Sequence, residues 1–284
     1  MRAVEGGGSY INQGFALVAE EAMKIIVITG STTGIGLGLA RALLARGCAV
    51  VINGRNQAKV NDTVSALAAE FGADRVLGVA GDVRCYEQVQ QVWQMAWQRF
   101  GCIDIWINNA GTISPQVPFT QQDPASIKAV VDTDLTGMLY GAHVALQGML
   151  QQGHGHIYFM EGFGHDGLMR NGMVVYGSAK RAVSYFTAAL LAELKTCPVQ
   201  IGTLGPGIVL TNLLRQSYRD GSLENKRSAE LLFRFMADDC AVVCHWLAEQ
   251  LLSNTRNGRR IAWLGVMRVV HHIIAGFFRK PVVL

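Results

Sequence analysis

The chain predicts an α/β fold with a doubly wound parallel sheet, and two observations carry that prediction. Six apolar segments of strand length alternate with longer segments whose apolar residues recur at helical spacing. Half of the 284 residues are hydrophobic and 16% are charged, which suits a large core. Alternating strands and helices imply right-handed crossovers between parallel strands. We expect a single domain with a C-terminal helical tail, because no repeat or low-complexity linker divides the pattern.

The predicted elements follow in chain order. The apolar segments that predict strands span residues 25–29, 49–53, 76–79, 103–107, 156–160 and 200–204. The helically spaced segments between them span residues 36–46, 57–71, 87–100, 125–151 and 174–195. After residue 206 the pattern changes to a loop and two further predicted helices, near residues 228–235 and 239–252.

The two ends of the chain differ from the body between them. Residues 1–22 contain three consecutive glycines and three glutamates, and they lack the charged and apolar regions of a signal peptide. Their acidity is untypical of a transit peptide, so we expect a poorly ordered N-terminal extension. The folded domain is predicted to span residues 23–255, and a basic amphipathic tail to span residues 256–284.

Positive charge is concentrated in the tail. Six basic residues and no acidic residue occupy positions 250–284, although the net charge of the chain is only +4. A nucleic-acid-binding protein would carry its basic face on the folded body, so no nucleic-acid partner is predicted.

The tail also carries an amphipathic pattern. Arg268, His271, His272 and Arg279 recur at helical spacing among apolar residues and predict a narrow polar stripe. The segment is too interrupted to span a membrane. Two interpretations stay open: the tail lies peripherally on an anionic membrane, or it packs over its own substrate pocket or a dimer partner.

Six cysteines are scattered along the chain without a C-x-x-C pair, which is typical of reduced thiols in a cytoplasmic protein. Cys240, Cys244 and His245 lie close together in a predicted helix. Three such residues without a second cluster make a poor metal site, so no metal is predicted.

A glycine-rich turn follows the first predicted strand. Gly30, Gly34 and Gly36 follow that strand and open the first helix, whose N-terminal N–H groups can bind a pyrophosphate. Residues 108–111, Asn-Asn-Ala-Gly, follow the fourth strand and would lie at the same edge of the sheet. Together these features predict a dinucleotide site on a Rossmann fold.

The end of the second predicted strand indicates which dinucleotide binds. Enzymes that use NAD typically carry an acid there, which bonds the ribose hydroxyls. This chain has Arg55 and no acid, and a guanidinium suits a 2′-phosphate dianion. NADPH is therefore the predicted cofactor. The alternative is that Arg55 only begins a solvated helix.

Tyr176 and Lys180 are the candidate catalytic pair. Four residues apart on a predicted helix, they share one face. A cation near the phenol stabilises the phenolate, so the pKa of Tyr176 is expected to fall below its ordinary value of about 10. Tyr176 could then exchange a proton with a carbonyl or alcohol near neutral pH.

The glycine turn, residues 108–111 and the Tyr176–Lys180 pair, in this order, resemble the short-chain dehydrogenase/reductase superfamily. The resemblance implies that Tyr176 is the general acid of carbonyl reduction and that Lys180 also holds the nicotinamide ribose. Besides the glycines, Arg55 and this pair, it implies cofactor contacts from Ser31, Thr32, Ile35, Asp82, Val83, Asn109, Ala110, Gly111, Pro206, Gly207, Val209 and Thr211.

Two catalytic positions depart from the family pattern. Asp134 stands where the family has an Asn that anchors a proton relay, and an acid cannot donate as an amide does. The usual Ser before the Tyr is absent, and Glu161 and Gly162 occupy its place. Glu161 either replaces the Ser by fixing water or a substrate donor, or is a structural acid that bonds backbone N–H groups of the glycine-rich loop.

Residues 155–164, 175–181 and 204–214 further resemble the plant chlorophyll b reductases. That resemblance implies NADPH-dependent reduction of the 7-formyl group of chlorophyll b, hence a small, hydrophobic pigment as substrate. A homo-oligomer is expected, in the cytoplasm or peripheral to a membrane. Two alternatives stay open: a short-chain reductase of another aldehyde or ketone, and a non-catalytic NADP-binding protein.

Overall fold

A computed structural model describes residues 23–218 and 223–276 of the chain. Its central feature is a parallel sheet of seven strands in the order β3-β2-β1-β4-β5-β6-β9. The strands are β1 (Ile25–Ile28), β2 (Ala49–Gly54), β3 (Val76–Ala80), β4 (Ile105–Asn108), β5 (Gly155–Met160), β6 (Val199–Gly205) and β9 (Arg260–Ala262). A separate two-stranded pair joins β7 (Ile208–Val209) to β8 (Ala237–Asp238). The predicted doubly wound fold is confirmed.

Helices cover both faces of the sheet. They are α1 (Gly34–Leu44), α2 (Gln57–Phe71), α3 (Tyr86–Phe100), α4 (Pro124–Val130), α5 (Gly137–Gln152), α6 (Val174–Glu193), α7 (Asn212–Ser217), α8 (Leu223–Met236), α9 (Cys240–Leu252) and α10 (Val266–Gly276). Residues of α1, α2 and α9 share one core with the sheet, and residues of α3, α5 and α6 share the other.

Strand β1 shows how the sequence makes two cores. Successive side chains of a strand point to opposite faces. Ile26 and Ile28 therefore pack in the core beneath α1, whereas Val27 packs in the core beneath α3 and α5. A strand covered on both faces needs an unbroken apolar run, and all four residues of β1 are buried.

Two predicted elements need correction. The helix expected over residues 125–151 is divided into α4 and α5 by a π-helical segment, Val131–Thr136, which carries Asp134. The seventh strand, β9, lies in the segment assigned to the tail, so the sheet extends past the expected domain limit at residue 255. Three residues are too few for a strand pattern to appear in the sequence.

The amphipathic helix predicted in the tail exists as α10, and two positions of its predicted polar stripe, Arg268 and His272, face inward, whereas the side chain of His271 lies outside the described part of the structure. The guanidinium carbon of Arg268 lies 3.4 Å from the ring centre of Trp263, and the His272 Nε2 lies 3.1 Å from an Asp238 oxygen. His272 is buried and its Nδ1 lies beside the Phe235 carbonyl of α8. Among the described side chains of α10, the large apolar residues Met267, Val270, Ile273 and Ile274 are exposed.

α10 packs on the chain's own α8, and both interpretations of the tail stay predictions. Within the described ranges, no helix has the length and apolarity to cross a bilayer. The expected N-terminal extension at residues 1–22 and the stripe position Arg279 lie outside the described residues.

Candidate active site

The glycine-rich turn lies at the carboxyl edge of the sheet, between β1 and α1. Gly30 adopts φ +64° and Gly34 adopts φ +58°, both in the left-handed region that favours glycine. A Cβ at Gly36 would lie 2.5 Å from the Asn109 side-chain nitrogen and 2.6 Å from the Gly30 carbonyl oxygen. The turn is therefore packed so closely that residue 36 must be glycine.

Thr29 and Asn109 join this turn to the end of β4. The Asn109 and Ala110 N–H groups both donate to the Thr29 hydroxyl, each at 3.0 Å. The Asn109 side chain donates to the carbonyls of Thr29 and Gly30. Thr29 belongs to the Thr-Gly start of the glycine motif, yet its bridging role was not predicted.

Asn53 holds the other side of the turn and was also missed. Its side-chain NH₂ donates to the carbonyls of Val79 and Gly81, so the ends of β2 and β3 are fixed together. The Ser31 hydroxyl accepts from the Asn53 N–H at 3.0 Å. The available signal was a polar residue at the end of an otherwise apolar strand.

The region expected to read the 2′-phosphate is open to solvent. Arg55 is exposed directly after β2. The Asp82 carboxylate, predicted to lie at the adenine, pairs with the Arg84 guanidinium, with an Nη2 to Oδ2 distance of 2.6 Å. That hydrogen bond lowers the pKa of Asp82. Val83 is buried against Gly137 at the start of α5.

The loop after β6 closes the site over the glycine turn. A Cβ at Gly34 would lie 3.5 Å from the Thr211 methyl group. Thr211 also caps α7, because its hydroxyl accepts from the Leu214 N–H. Pro206, Gly207 and Val209, the other predicted contacts of this loop, precede Thr211 in the chain.

These residues fit a dinucleotide. Glycines that leave no room for a Cβ let a pyrophosphate approach the backbone, and the N-terminus of α1 points N–H groups at it. Ser31, Thr32, Ile35 and residues 109–111 are the adjoining positions predicted to line it. The exposed Arg55 leaves the ribose end accessible to a charged group.

Tyr176, Lys180 and Asp134 meet at the carboxyl end of β5. The Lys180 ammonium lies 3.1 Å from an Asp134 oxygen and 5.5 Å from the centre of the Tyr176 ring. The other Asp134 oxygen accepts from the Thr112 N–H at 2.7 Å. The π-helical segment places Asp134 here with almost no exposed surface.

The expectation that the pKa of Tyr176 falls below its ordinary value is wrong. Burial raises the pKa of Tyr176, Lys180 acts against that rise, and the Asp134 carboxylate adds to it. Burial acts to lower the pKa of Lys180, but Asp134 and Tyr176 together outweigh it, so the pKa of Lys180 is raised and the amine stays protonated. Asp134 therefore offsets part of the lowering effect that Lys180 has on the pKa of Tyr176.

The place of the missing Ser is taken up by the Tyr176 hydroxyl. A Cβ at Gly162 would lie 2.3 Å from that hydroxyl oxygen and 3.1 Å from the Lys180 Cε. Real Cβ atoms do not approach so closely. Position 162 therefore supplies no hydroxyl beside that of Tyr176.

The Glu161 carboxylate forms an ion pair with the Arg260 guanidinium. Both of its oxygens lie 2.9 Å from the Arg260 Nε, and one lies 3.3 Å from the His165 Nε2. The Glu161 side chain is only 6% exposed. Neither Arg260 nor His165 was predicted from the sequence, and no local pattern marks them.

Comparison with known proteins gives the class to which the fold and site belong. The family model for short chain dehydrogenases matches residues 24–221. The chain belongs to the short-chain dehydrogenase/reductase family, so it is an oxidoreductase that takes a nicotinamide cofactor and a small-molecule substrate.

Several similar proteins of known name come from plants. Chlorophyll(ide) b reductase NOL of Oryza sativa subsp. japonica is 32% identical over 88% of this chain and 71% of its own length. The NOL protein of Arabidopsis thaliana is 33% identical over 82% of this chain and 66% of its own length. Rice "Probable chlorophyll(ide) b reductase NYC1" is 32% identical over 90% of this chain, but the chain spans only 52% of that protein.

Solved structures share the fold. Gluconate 5-dehydrogenase of Burkholderia cenocepacia, in complex with NADP and tartrate, is 27% identical with a TM-score of 0.71, over 84% of this chain and 92% of that one. Levodione reductase is 24% identical with a TM-score of 0.75, over 86% of this chain and 97% of that one.

Asp134→Asn is expected to move the pH profile. Removing the carboxylate removes a charge that raises the pKa of Tyr176, so that pKa falls. Reduction needs the protonated phenol, and its rate declines as pH rises through this pKa. The alkaline limb of kcat/KM for reduction should therefore shift to lower pH. Asp132→Asn, which removes an acid paired with Lys128 on the same segment, should leave the limb in place.

An unshifted limb in the Asp134 variant would mean that the acid does not act on Tyr176. A fall in rate with the limb unshifted would point instead to a role in the proton relay.

Proposed function

We propose that this protein is an NADPH-dependent carbonyl reductase whose substrate is the 7-formyl group of chlorophyll b, reduced to a hydroxymethyl. The observation that carries the proposal is the group of Tyr176, Lys180 and Asp134 facing a bare Gly162. Two relatives named chlorophyll(ide) b reductase, NOL of rice and of Arabidopsis, support it over more than four fifths of the chain.

The residues assign the chemistry of the reduction. A nicotinamide cofactor, when bound along the glycine turn, supplies the hydride. Tyr176 polarises the carbonyl oxygen and donates its proton to the alkoxide that forms. Lys180 stays positively charged beside the phenol and stabilises the phenolate that remains. Asp134 holds the Lys180 ammonium in place at 3.1 Å.

An aldehyde suits a site with one proton donor. A second hydrogen bond to the carbonyl oxygen would be worth about 1–3 kcal/mol. A formyl group conjugated to an aromatic macrocycle is already electrophilic and sterically open. Its reduction can therefore proceed without the hydroxyl that the family usually places at position 162.

The walls around the site favour an apolar substrate. The loop after β4, the loop after β5 and α7 meet there: the Gln116 N–H donates to the Ser217 carbonyl, and a Cβ at Gly172 would contact Gln116. These walls expose large apolar side chains, namely Leu168, Met169 and Leu213.

The preference for NADPH over NADH is proposed to depend on Arg55. Arg55→Asp should place a like charge against the 2′-phosphate and reverse the preference in part, with a gain of NADH over NADPH of about tenfold or more. Dissociation constants for the two cofactors, from quenching of intrinsic fluorescence, measure the change. Arg256→Asp, which alters charge elsewhere on the surface, is the matched control. If the Arg55 variant still prefers NADPH as the wild type does, Arg55 does not read the phosphate.

The substrate is tested with the pigment itself. Detergent-dispersed chlorophyll b and NADPH are incubated with the protein, and the absorbance spectrum and chromatographic retention of the pigment are followed. We expect conversion to the 7-hydroxymethyl pigment and no reaction of chlorophyll a, which carries a methyl group at that position. If the protein reduces simple aldehydes but does not reduce chlorophyll b, it is a reductase of another carbonyl. Cofactor binding without turnover of any carbonyl would make it a binding protein.

A further inference from the structure

Glu161, His165 and Arg260 form a closed ring of contacts beside the catalytic residues. The Arg260 Nε donates to both Glu161 oxygens at 2.9 Å, and its Nη2 lies 2.8 Å from the His165 Nε2. The His165 Nδ1 lies 2.9 Å from the Gly162 carbonyl oxygen. Since Gly162 follows Glu161 in the chain, the ring closes through their peptide bond.

The hydrogen-bond roles in this ring are fixed by chemistry. A carbonyl oxygen can only accept, so the His165 Nδ1 carries the hydrogen that bonds Gly162. A guanidinium can only donate, so the His165 Nε2 must accept from Arg260. Arg260 thus satisfies a buried carboxylate with one nitrogen and orients the imidazole with another. Such forked geometry is particular to arginine.

His165 also ties the ring to the helix that carries Tyr176. Its backbone carbonyl accepts from the Arg181 Nη1 and from the Ser184 hydroxyl, both at 2.9 Å and both on α6. The imidazole holds Gly162 while the carbonyl of the same residue holds α6. Contacts made at His165 therefore join Gly162 to the helix that carries Tyr176.

We propose that Arg260, His165 and Glu161 are positioning residues, which together fix Gly162 under the Tyr176 hydroxyl and so set the place of the proton donor. Glu161 then acts through Arg260 and does not touch the substrate. The inference rests on the proposed reduction for its kinetic test. Because Arg260 is the first residue of β9, this edge strand of the sheet also supports the active site.

The test replaces each contact separately in the full chain. Arg260→Gln and Arg260→Lys both lose the forked guanidinium. Arg259→Gln is the control, because it removes a neighbouring guanidinium that contacts Gln250 and not Glu161 or His165. His165→Asn keeps a donor for Gly162, whereas His165→Gln keeps an acceptor for Arg260. Glu161→Gln with Arg260→Gln removes both charges, so that no buried carboxylate is left unpaired if the single variant does not fold.

Two measurements are made on every variant. Hydrogen exchange of residues 161–173 reports the loop directly and needs no substrate. Steady-state reduction, with NADPH dissociation constants from fluorescence, separates kcat from binding.

We expect Arg260→Gln and Arg260→Lys to lower kcat about tenfold or more, with the NADPH dissociation constant within about twofold of wild type. Exchange should quicken in residues 161–173 in both variants and in the double variant. Arg259→Gln should match the wild type, and His165→Asn should retain more activity than His165→Gln.

Full activity in Arg260→Lys, or equal losses in Arg260→Gln and Arg259→Gln, would overturn the inference, since charge alone would then suffice. If the wild type reduces no carbonyl, the proposed function fails. Hydrogen exchange then decides alone: unchanged exchange in the Arg260 variants would sink the positioning role, and faster exchange confined to this loop would support it.

Discussion

Tyr176→Phe is expected to lower kcat for carbonyl reduction by about a thousandfold or more while NADPH binds almost as in the wild type. The substitution removes the hydroxyl and keeps the ring, whose centre lies 5.5 Å from the Lys180 ammonium. The packing of the site should therefore survive. Without the hydroxyl, the proposed proton donor to the alkoxide is lost.

Tyr185→Phe is the matched control, because it removes a phenol from an exposed position on the same helix. It should leave kcat unchanged. Steady-state kinetics with an aldehyde substrate and fluorescence titration with NADPH measure both variants. Retention of more than about a tenth of kcat by Tyr176→Phe would remove Tyr176 as the general acid.

Gly162→Ser is expected to lower activity, although it restores the residue type that the family usually has near this position. The new Cβ would lie 2.3 Å from the Tyr176 hydroxyl oxygen, so the phenol must move. A displacement of about 1 Å at a reacting group can cost about a hundredfold in rate. We therefore expect kcat to fall by about a hundredfold despite the added hydrogen-bond donor.

Gly162→Ala separates the steric effect from the chemical one, since it adds the Cβ without a hydroxyl. Both variants should lose activity to a similar degree if the clash dominates. Gly177→Ala, beside Tyr176 on α6, is the control, because the nearest atom to its new Cβ is 3.9 Å away. Higher activity in Gly162→Ser than in the wild type would show that position 162 has room for the serine.

Local patterns were sufficient for much of this molecule. The alternation of strands and helices follows from apolar spacing, which each segment carries within itself. The glycine turn could be located because Gly30, Gly34 and Gly36 follow a predicted strand and open a predicted helix at the spacing of a dinucleotide motif. Tyr176 and Lys180 share a helical face, so their proximity also depends on spacing alone.

The sequence by itself determined the α/β fold, the family and the candidate pair of Tyr176 and Lys180, because each is encoded in residues close together in the chain. Only the tertiary structure decided that Glu161 pairs with Arg260, 99 positions away, and that burial raises the pKa of Tyr176. It also decided that Arg268 and His272 face inward. Partners of charged side chains, and the burial that sets their pKa, depend on segments that meet only in the fold, and spacing along the chain carries no record of them.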